Sequence, residues 1–413
     1  MIFNIKTIKI TLISFLLFCL YSTKETFAQT WWAQNSNTIE NLQNIAFFDN
    51  NTGYAFGDTL STIVKTTNQG SSWTALSPVF TRGSLRSGAF LSSGSIVAVG
   101  VHDVLNGKGL VMKTVNGGAS WSADTTLPED LFDVYFANST DGWISGENGY
   151  IARTTDGGTN LTQLTTGTGE DIFSIHFINA NEGWAVGTVD IKAVILHTTN
   201  AGTNWTSQAS GVPSQLFSVF FVNSSTGWAV GAGGHIIATT DSGTTWTAQT
   251  SNAVNDLFDV YFLDANNGWV VGGGGTVLKT TDGGANWALE LSNTNTDISS
   301  ITMKNSTLGW FCGDGGEIRF YGMSPAAINE VNDWKENINI YPNPTKGQLS
   351  INVGNYGKDW SFVLYDVIGR LVAEKNRIKE SRYFIEVNVP PGMYLLKISN
   401  NVDRAYTEKI IFK

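Results

Sequence analysis

The sequence predicts an all-β chain, a seven-bladed β-propeller followed by a small Ig-like β-sandwich. Three observations predict it. A turn of the form Thr-X-Asp/Asn-X-Gly-X-X-Trp recurs from Thr66, Thr114, Thr154, Thr198, Thr239 and Thr280, with Leu161 replacing the final Trp in the third copy. The copies lie about forty residues apart, the spacing of repeats that bury their apolar faces only against their neighbours. Between the copies run short β-branched and aromatic segments broken by Gly, Asn and Ser, with no helical periodicity. Beyond residue 322 the composition shifts towards Lys, Glu and Arg, and the strand pattern changes with it.

The first 28 residues read as a secretory signal. Lys6 and Lys9 precede an apolar run over residues 10–21, and small residues end at Ala28 before Gln29. The run is short for a membrane span, and no later stretch reaches about twenty apolar residues. Of the two cysteines, Cys19 falls inside the signal and Cys312 is left alone, so an exported chain must be held together by packing. Beside Trp310 and Phe311, Cys312 reads as a buried thiol.

Residues 29–322 read as the propeller. Three aligned units, from Leu131, Leu216 and Leu257, each give four strands: an aromatic first strand, a Gly-Trp second strand, a third strand after a Gly-rich loop, and a fourth after the recurring turn. Second-strand positions Tyr54, Val97, Trp143, Trp184, Trp228, Trp269 and Trp310 count seven units. The seventh lacks its turn and fourth strand. Trp32-Ala33-Gln34 resembles Thr247-Ala248-Gln249 with its preceding Trp246, so the N-terminal strand is expected to complete that blade and remove an open edge. Repetition of Trp in nearly every unit points to packing between blades rather than sugar stacking. Asp156, Asp241 and Asp282 alternate with Asn68, Asn116 and Asn200, which suits turn closure and not a required charge.

Function is sought on the opposite face, where the fourth-to-first and second-to-third loops meet. Loop length varies most there, around Asp103 and Asp190. The residues leading into the first strands are Asn41, Ser84, Asp130, Asp171, Gln215, Asp256 and Asp297, with Asp58, Glu147, Asp314 and Glu317 in neighbouring loops. Asp130, Asp171, Asp256, Asp297, Asp103 and Asp190 are therefore the candidate binding residues, an acidic rim suited to a cation, a basic protein segment or sugar hydroxyls. A turn-capping role for the same residues is the plainer reading. No catalytic residue is assigned. The net charge of -10 argues against a nucleic-acid partner. His102, His176, His197 and His235 lack metal-ligand spacing, and no Lys-Ser/Thr follows the Gly clusters, so no metal, phosphate loop or cofactor is predicted.

The recurring turn resembles the Asp box of sialidase-type propellers, and the whole repeat is similar to the photosystem II assembly and stability factor family. That resemblance implies a seven-bladed, non-enzymatic assembly or binding propeller. The basic patch of photosynthetic members has no counterpart among Arg82, Arg86, Arg153 and Arg319, and the Arg-Ile-Pro segment of sialidases is absent. Residues 323–337 read as a linker, and residues 338–413 as a separate antiparallel sandwich. This last part resembles the type A sorting domain of the type IX secretion system, through Tyr341-Pro342-Asn343-Pro344, Asp366 with Gly369-Arg370, Pro391-Gly392-Met393-Tyr394 and the terminal Lys413. The resemblance implies export to the cell surface or medium, with the secretion machinery as a partner. The expectation is an exported propeller that binds an extracellular protein or glycan. A polysaccharide hydrolase using carboxylates of the loop face is one alternative, and a photosystem II assembly factor-like chaperone another.

Overall fold

The computed structural model describes residues 29–76, 83–103, 108–189, 192–322, 338–353, 360–366, 370–400 and 405–413. The proposed signal and linker lie outside them. Within Thr30–Gly322 the described strands form seven four-stranded antiparallel sheets, six of them running in chain order from an innermost to an outermost strand. Blade 3 is typical: Leu131–Phe136, Gly142–Gly146, Ile151–Thr154 and Thr162–Leu164. Blade 7 consists of Ile298–Asn305, Leu308–Gly313 and Ile318–Gly322, and its fourth strand is Thr30–Gln34, with Trp32 opposite Phe320.

Second-strand tryptophans weld one blade to the next. Trp143 is fully buried, its ring stacked 3.5 Å from that of Phe177 in blade 4, and its indole N–H donates to Ala201 O in the turn of that blade at 3.0 Å. Trp184, Trp228 and Trp310 repeat the arrangement on Phe221, Phe262 and Phe47, donating to Ser242 O, Gly283 O and Gln69 O. Tyr54 reaches Gly117 O with its hydroxyl. Blade 7 has no such turn, and Trp269 Nε1 has no partner among the described residues.

A second latch joins the outer strands. Gln208 and Gln249 accept the indole N–H of Trp246 and Trp287 and donate to Ser242 O and Gly283 O. Gln34 does the same for Trp73 and Gln69 O, so the N-terminal strand occupies the fourth-strand place in detail. Leu76 and Leu164 stand at this place in blades 1 and 3, and among the described residues the Nε1 atoms of the facing Trp121 and Trp205 have no partner. The recurring turns close locally: Asp156 accepts the backbone and side-chain amides of Asn160, the Thr154 hydroxyl and the Thr159 amide, which hold its carboxyl down at about 2, and Asn68 accepts Ser72 N–H in the same way.

The C-terminal unit has a three-stranded sheet, Asn339–Tyr341, Gln348–Asn352 and Arg382–Glu386, and a four-stranded one ordered Leu371–Ile378, Trp360–Asp366, Gly392–Asn400, Ala405–Phe412. Leu349, Ile351, Trp360, Leu364, Leu396, Ile398 and Ile410 fill its core. Among the described residues no helix is long and apolar enough to cross a membrane.

Candidate functional site

Each innermost strand opens with a β-bulge, directly after its first pairing or, in blade 2, after its second. The bulged residue is Gln43, Arg86, Phe132, Phe173, Phe217, Phe258 or Ser299 in blades 1 to 7. Next comes a polar residue in every blade: Asn44, Ser87, Asp133, Ser174, Ser218, Asp259 and Ser300. These side chains form a girdle that caps amides of the following blade. Asp133 accepts Ile175 N–H at 3.0 Å and Asp259 accepts Ile301 N–H at 2.9 Å, while Ser87 and Ser218 donate their hydroxyls to the same two carboxylates. Asn44 accepts Gly88 N–H and donates to Ser300 Oγ. Burial raises the pKa of both carboxyls against these bonds, Asp259 to about 6.

Aromatic layers lie either side of the girdle. Phe132, Phe173, Phe217 and Phe258 make an unbroken arc over blades 3 to 6, with successive ring centroids 5.2, 5.8 and 5.9 Å apart, and all four are half-buried. Tyr135, His176, Phe220 and Tyr261 form the second layer, at 4.7, 4.7 and 5.1 Å. Burial pushes the Tyr135 hydroxyl up to about 12 and His176 down to about 3, so the latter stays neutral. His197 stacks on Trp184 at 4.5 Å and meets Glu182 at 3.3 Å. Among the described residues no group of His, Cys, Asp and Glu is placed to hold a metal ion.

Above the arc sits the predicted acidic rim, and the structure divides it. The backbone carbonyls of Asn41, Asp130, Asp171, Gln215, Asp256 and Asp297 accept the N–H of the residue that follows the second strand of the same blade, or its equivalent in the longer strand of blade 4. The approach is close enough that a Cβ on Gly146 would lie 2.3 Å from Asp130 O. Three of the predicted side chains also reach the blade before them. Asp171 accepts Asn148 N–H at 3.1 Å, Asp256 accepts Gly233 N–H at 2.8 Å, and Asp297 accepts Gly274 N–H at 2.8 Å. One oxygen of each is therefore a blade-joint cap. Asn41 makes the same bond from Gly315 N–H without a charge.

Asp130 is different. It is 8% exposed, and its Oδ1 has no hydrogen-bond partner among the described residues. Burial raises its pKa, Arg86 opposes the rise and Glu129 adds to it. Glu147 is raised by burial, then by Asp130 and Asp171, and Asp314 by burial, then by Asp297 and Asp58. Asp103 ends the second strand of blade 2 opposite Lys108, and Asp190 lies outside the described residues. The aromatic arc escaped the sequence reading, although Leu-Phe or Ile-Phe opens four consecutive first strands where the other three carry Leu-Gln, Leu-Arg and Ile-Ser.

In the C-terminal unit the predicted sorting motif is a bracket between strands. Asn343, between Pro342 and Pro344, donates to Lys409 O at 2.6 Å and accepts Ile411 N–H at 3.0 Å. Asp366 pairs with Arg370 at 3.0 Å. Tyr394 donates to Pro390 O, one residue before Pro391, and its ring lies 4.9 Å from that of Phe412; Gly392 begins the strand opposite Phe412. Arg382 lies 5.4 Å over the ring of Tyr341, and Gly369 is outside the described residues.

These features define a seven-bladed repeat propeller followed by a separate β-sheet unit at its C-terminus. The model of the family described as photosynthesis system II assembly factor YCF48 matches residues 122–254 and 250–321, and that of the secretion system C-terminal sorting domain matches residues 339–413. The chain thus carries a YCF48-like propeller domain and a C-terminal sorting domain. A solved structure of YCF48 bound to D1 peptide superposes with a TM-score of 0.59 at 19% identity, covering 73% of this chain and 99% of that one. YCF48 from Cyanidioschyzon merolae gives 0.59 at 18%, covering 71% and 98%. The WD40 propeller domain of Doa1 gives 0.60 at only 9%, covering 72% and 98%, so these likenesses speak for the fold. Comparison with curated proteins finds no match. The sorting domain implies export by the type IX secretion system, with a secreted or surface location.

Proposed function

We propose that the exported propeller is a binding module for an extracellular protein or glycan, engaged on the face formed by the fourth-to-first and second-to-third loops. The observation that carries this reading is the contrast between the faces. Carboxylates of the recurring turns are occupied in closing those turns, whereas on the loop face Asp130 Oδ1 has no hydrogen-bond partner among the described residues and lies beside a half-buried arc of four phenylalanines. Such a mixture of apolar wall and a few directed polar groups is what ligand sites present. The solved YCF48 holds a D1 peptide, and a peptide ligand is consistent with the same scaffold here.

The hydrolase alternative draws on Asp130 and Glu147, whose raised pKa values suit a general acid. A chaperone of the photosystem II assembly kind draws on the blade similarity alone. One experiment separates the first two. The chain from Gln29 onward is applied to a glycan array and to surface proteins, and reducing-sugar release is measured in parallel. Retention without release, lost on substitution of Asp130, supports binding. Sugar release abolished by Asp130→Asn or Glu147→Gln would overturn it.

A further inference from the structure

Resting on that reading of the loop face, we propose that the channel mouth holds a polypeptide segment rich in lysine or arginine, its cationic heads at Asp130 and its aliphatic stems along Phe173, Phe217 and Phe258. Asp130 supplies the first argument. A carboxylate this buried is costly unless something completes its hydrogen bonding, and among the described residues its Oδ1 has no amide like those that Asp171, Asp256 and Asp297 receive from the preceding blade. Oδ1 is itself closed off, so an incoming cation would meet the charge at the carboxylate's other oxygen.

Arg86 supplies the second. Its guanidinium lies 4.7 Å over the ring of Phe132, at one end of the arc, and its charge lowers the proton affinity of both Asp130 and Glu147. The chain itself thus shows how a cation sits on this wall, by ring-face attraction together with carboxylate pairing. Among the described residues no cation stands over Phe173, Phe217 or Phe258. A long basic side chain suits the remaining surface, since its stem is apolar and its head is charged.

Charge balance supplies the third. Burial first, and then Asp130 and Asp171, pushes Glu147 up, and burial first, and then Asp297 and Asp58, pushes Asp314 up, so carboxylates of the rim repel one another. A metal ion does not answer this need, because no chelating group of three is present among the described residues. The arc from Phe132 to Phe258 spans four blades, a length that takes about five residues of extended chain at roughly 3.3 Å each. A polypeptide covers it; a single small ammonium ion does not.

The test uses the chain from Gln29 onward and two dye-labelled heptapeptides, Gly-Lys-Phe-Lys-Phe-Lys-Gly and its Glu-for-Lys counterpart, read by fluorescence anisotropy at low and physiological salt. The Lys peptide is expected to bind and the Glu peptide not. Asp130→Asn and Phe258→Ser should each weaken binding about tenfold, the latter placing at blade 6 the residue type blade 7 carries as Ser299. Arg86→Ser should tighten it severalfold, and Asp156→Asn on the opposite face should leave it unchanged. Equal binding of both peptides, wild-type affinity in Asp130→Asn and Phe258→Ser, or displacement by equimolar tetramethylammonium overturns the proposal. If those results come with glycan or protein binding still sensitive to loop-face substitutions, the broader reading survives. If every ligand ignores the loop face, both fall.

Discussion

Asp259 offers a test of the girdle beneath the site. Its carboxylate receives Ile301 N–H, Val260 N–H and the Ser218 hydroxyl, yet burial outweighs them and lifts its pKa from 3.8 to about 6. A carboxyl with a raised folded-state pKa binds its proton more tightly when folded. Its contribution is therefore most favourable below about pH 4, falls as pH rises from about 4 to 6, and is level above. A shift of about two units corresponds to about 3 kcal/mol between the two plateaus. Asp259→Asn removes the charge and keeps the girdle, because Asn44 already shows how an amide sits there, accepting Gly88 N–H and donating to a serine hydroxyl. At pH 7 the variant should be more stable than the parent by about 1–3 kcal/mol, after allowing about 1 kcal/mol for weaker hydrogen bonds to a neutral acceptor. Urea unfolding, followed by tryptophan fluorescence from pH 4 to 8, gives the difference curve. A flat difference across pH 4–6, or a variant less stable at pH 7, would refute the reasoning.

The blade latches make further predictions. Gln208→Leu copies the Leu164 arrangement and strands Trp246 Nε1, so it should cost about 1–3 kcal/mol, whereas Leu164→Gln should recover about 1 kcal/mol by serving Trp205; a double-mutant cycle of Gln208 with Trp246 checks the coupling. Trp228→Phe should cost about 1–2 kcal/mol more than Trp269→Phe in the same unfolding assay, since only Trp228 loses an indole hydrogen bond. Removing residues 29–34 deletes the fourth strand of blade 7 and the Gln34 latch, and should abolish cooperative thermal unfolding of the propeller by calorimetry.

Much of this architecture was legible because repetition exposes it. Six turns and seven second-strand positions fix the blade count, and Trp32-Ala33-Gln34 gives away the wandering strand, since a fourth strand has its own signature in Gln and its neighbours. The latches were less legible. That Gln34, Gln208 and Gln249 reach across to a tryptophan in the next blade depends on contacts between units, which a single repeat does not contain. The candidate site was half legible for the same reason. Asp130 and its equivalents stand out by position, but only packing shows that Asp171, Asp256 and Asp297 are bound to a neighbouring amide while, among the described residues, Asp130 is not. The aromatic arc was hidden because a bulge breaks the two-residue alternation. By simple alternation Phe132 and Asp133 would face opposite sides of the sheet, whereas the extra residue turns Phe132 out of the ladder.

Asn41 separates what the rim does for the scaffold from what it does for a ligand. At the joint of blades 7 and 1 an amide oxygen accepts Gly315 N–H at 2.9 Å, as carboxylates do at three other joints. The joint needs an acceptor and not a charge. Replacing Asp171, Asp256 and Asp297 together by Asn should therefore leave unfolding free energy within about 1 kcal/mol of the parent, because each cap is kept and repulsion with Glu147 and Asp314 is relieved. The same variant should lose affinity for the Lys peptide at low salt, with the loss shrinking as salt screens the mouth. A large loss of stability would make the charge part of the scaffold. Unchanged peptide affinity at low salt would confine recognition to Asp130 and the arc.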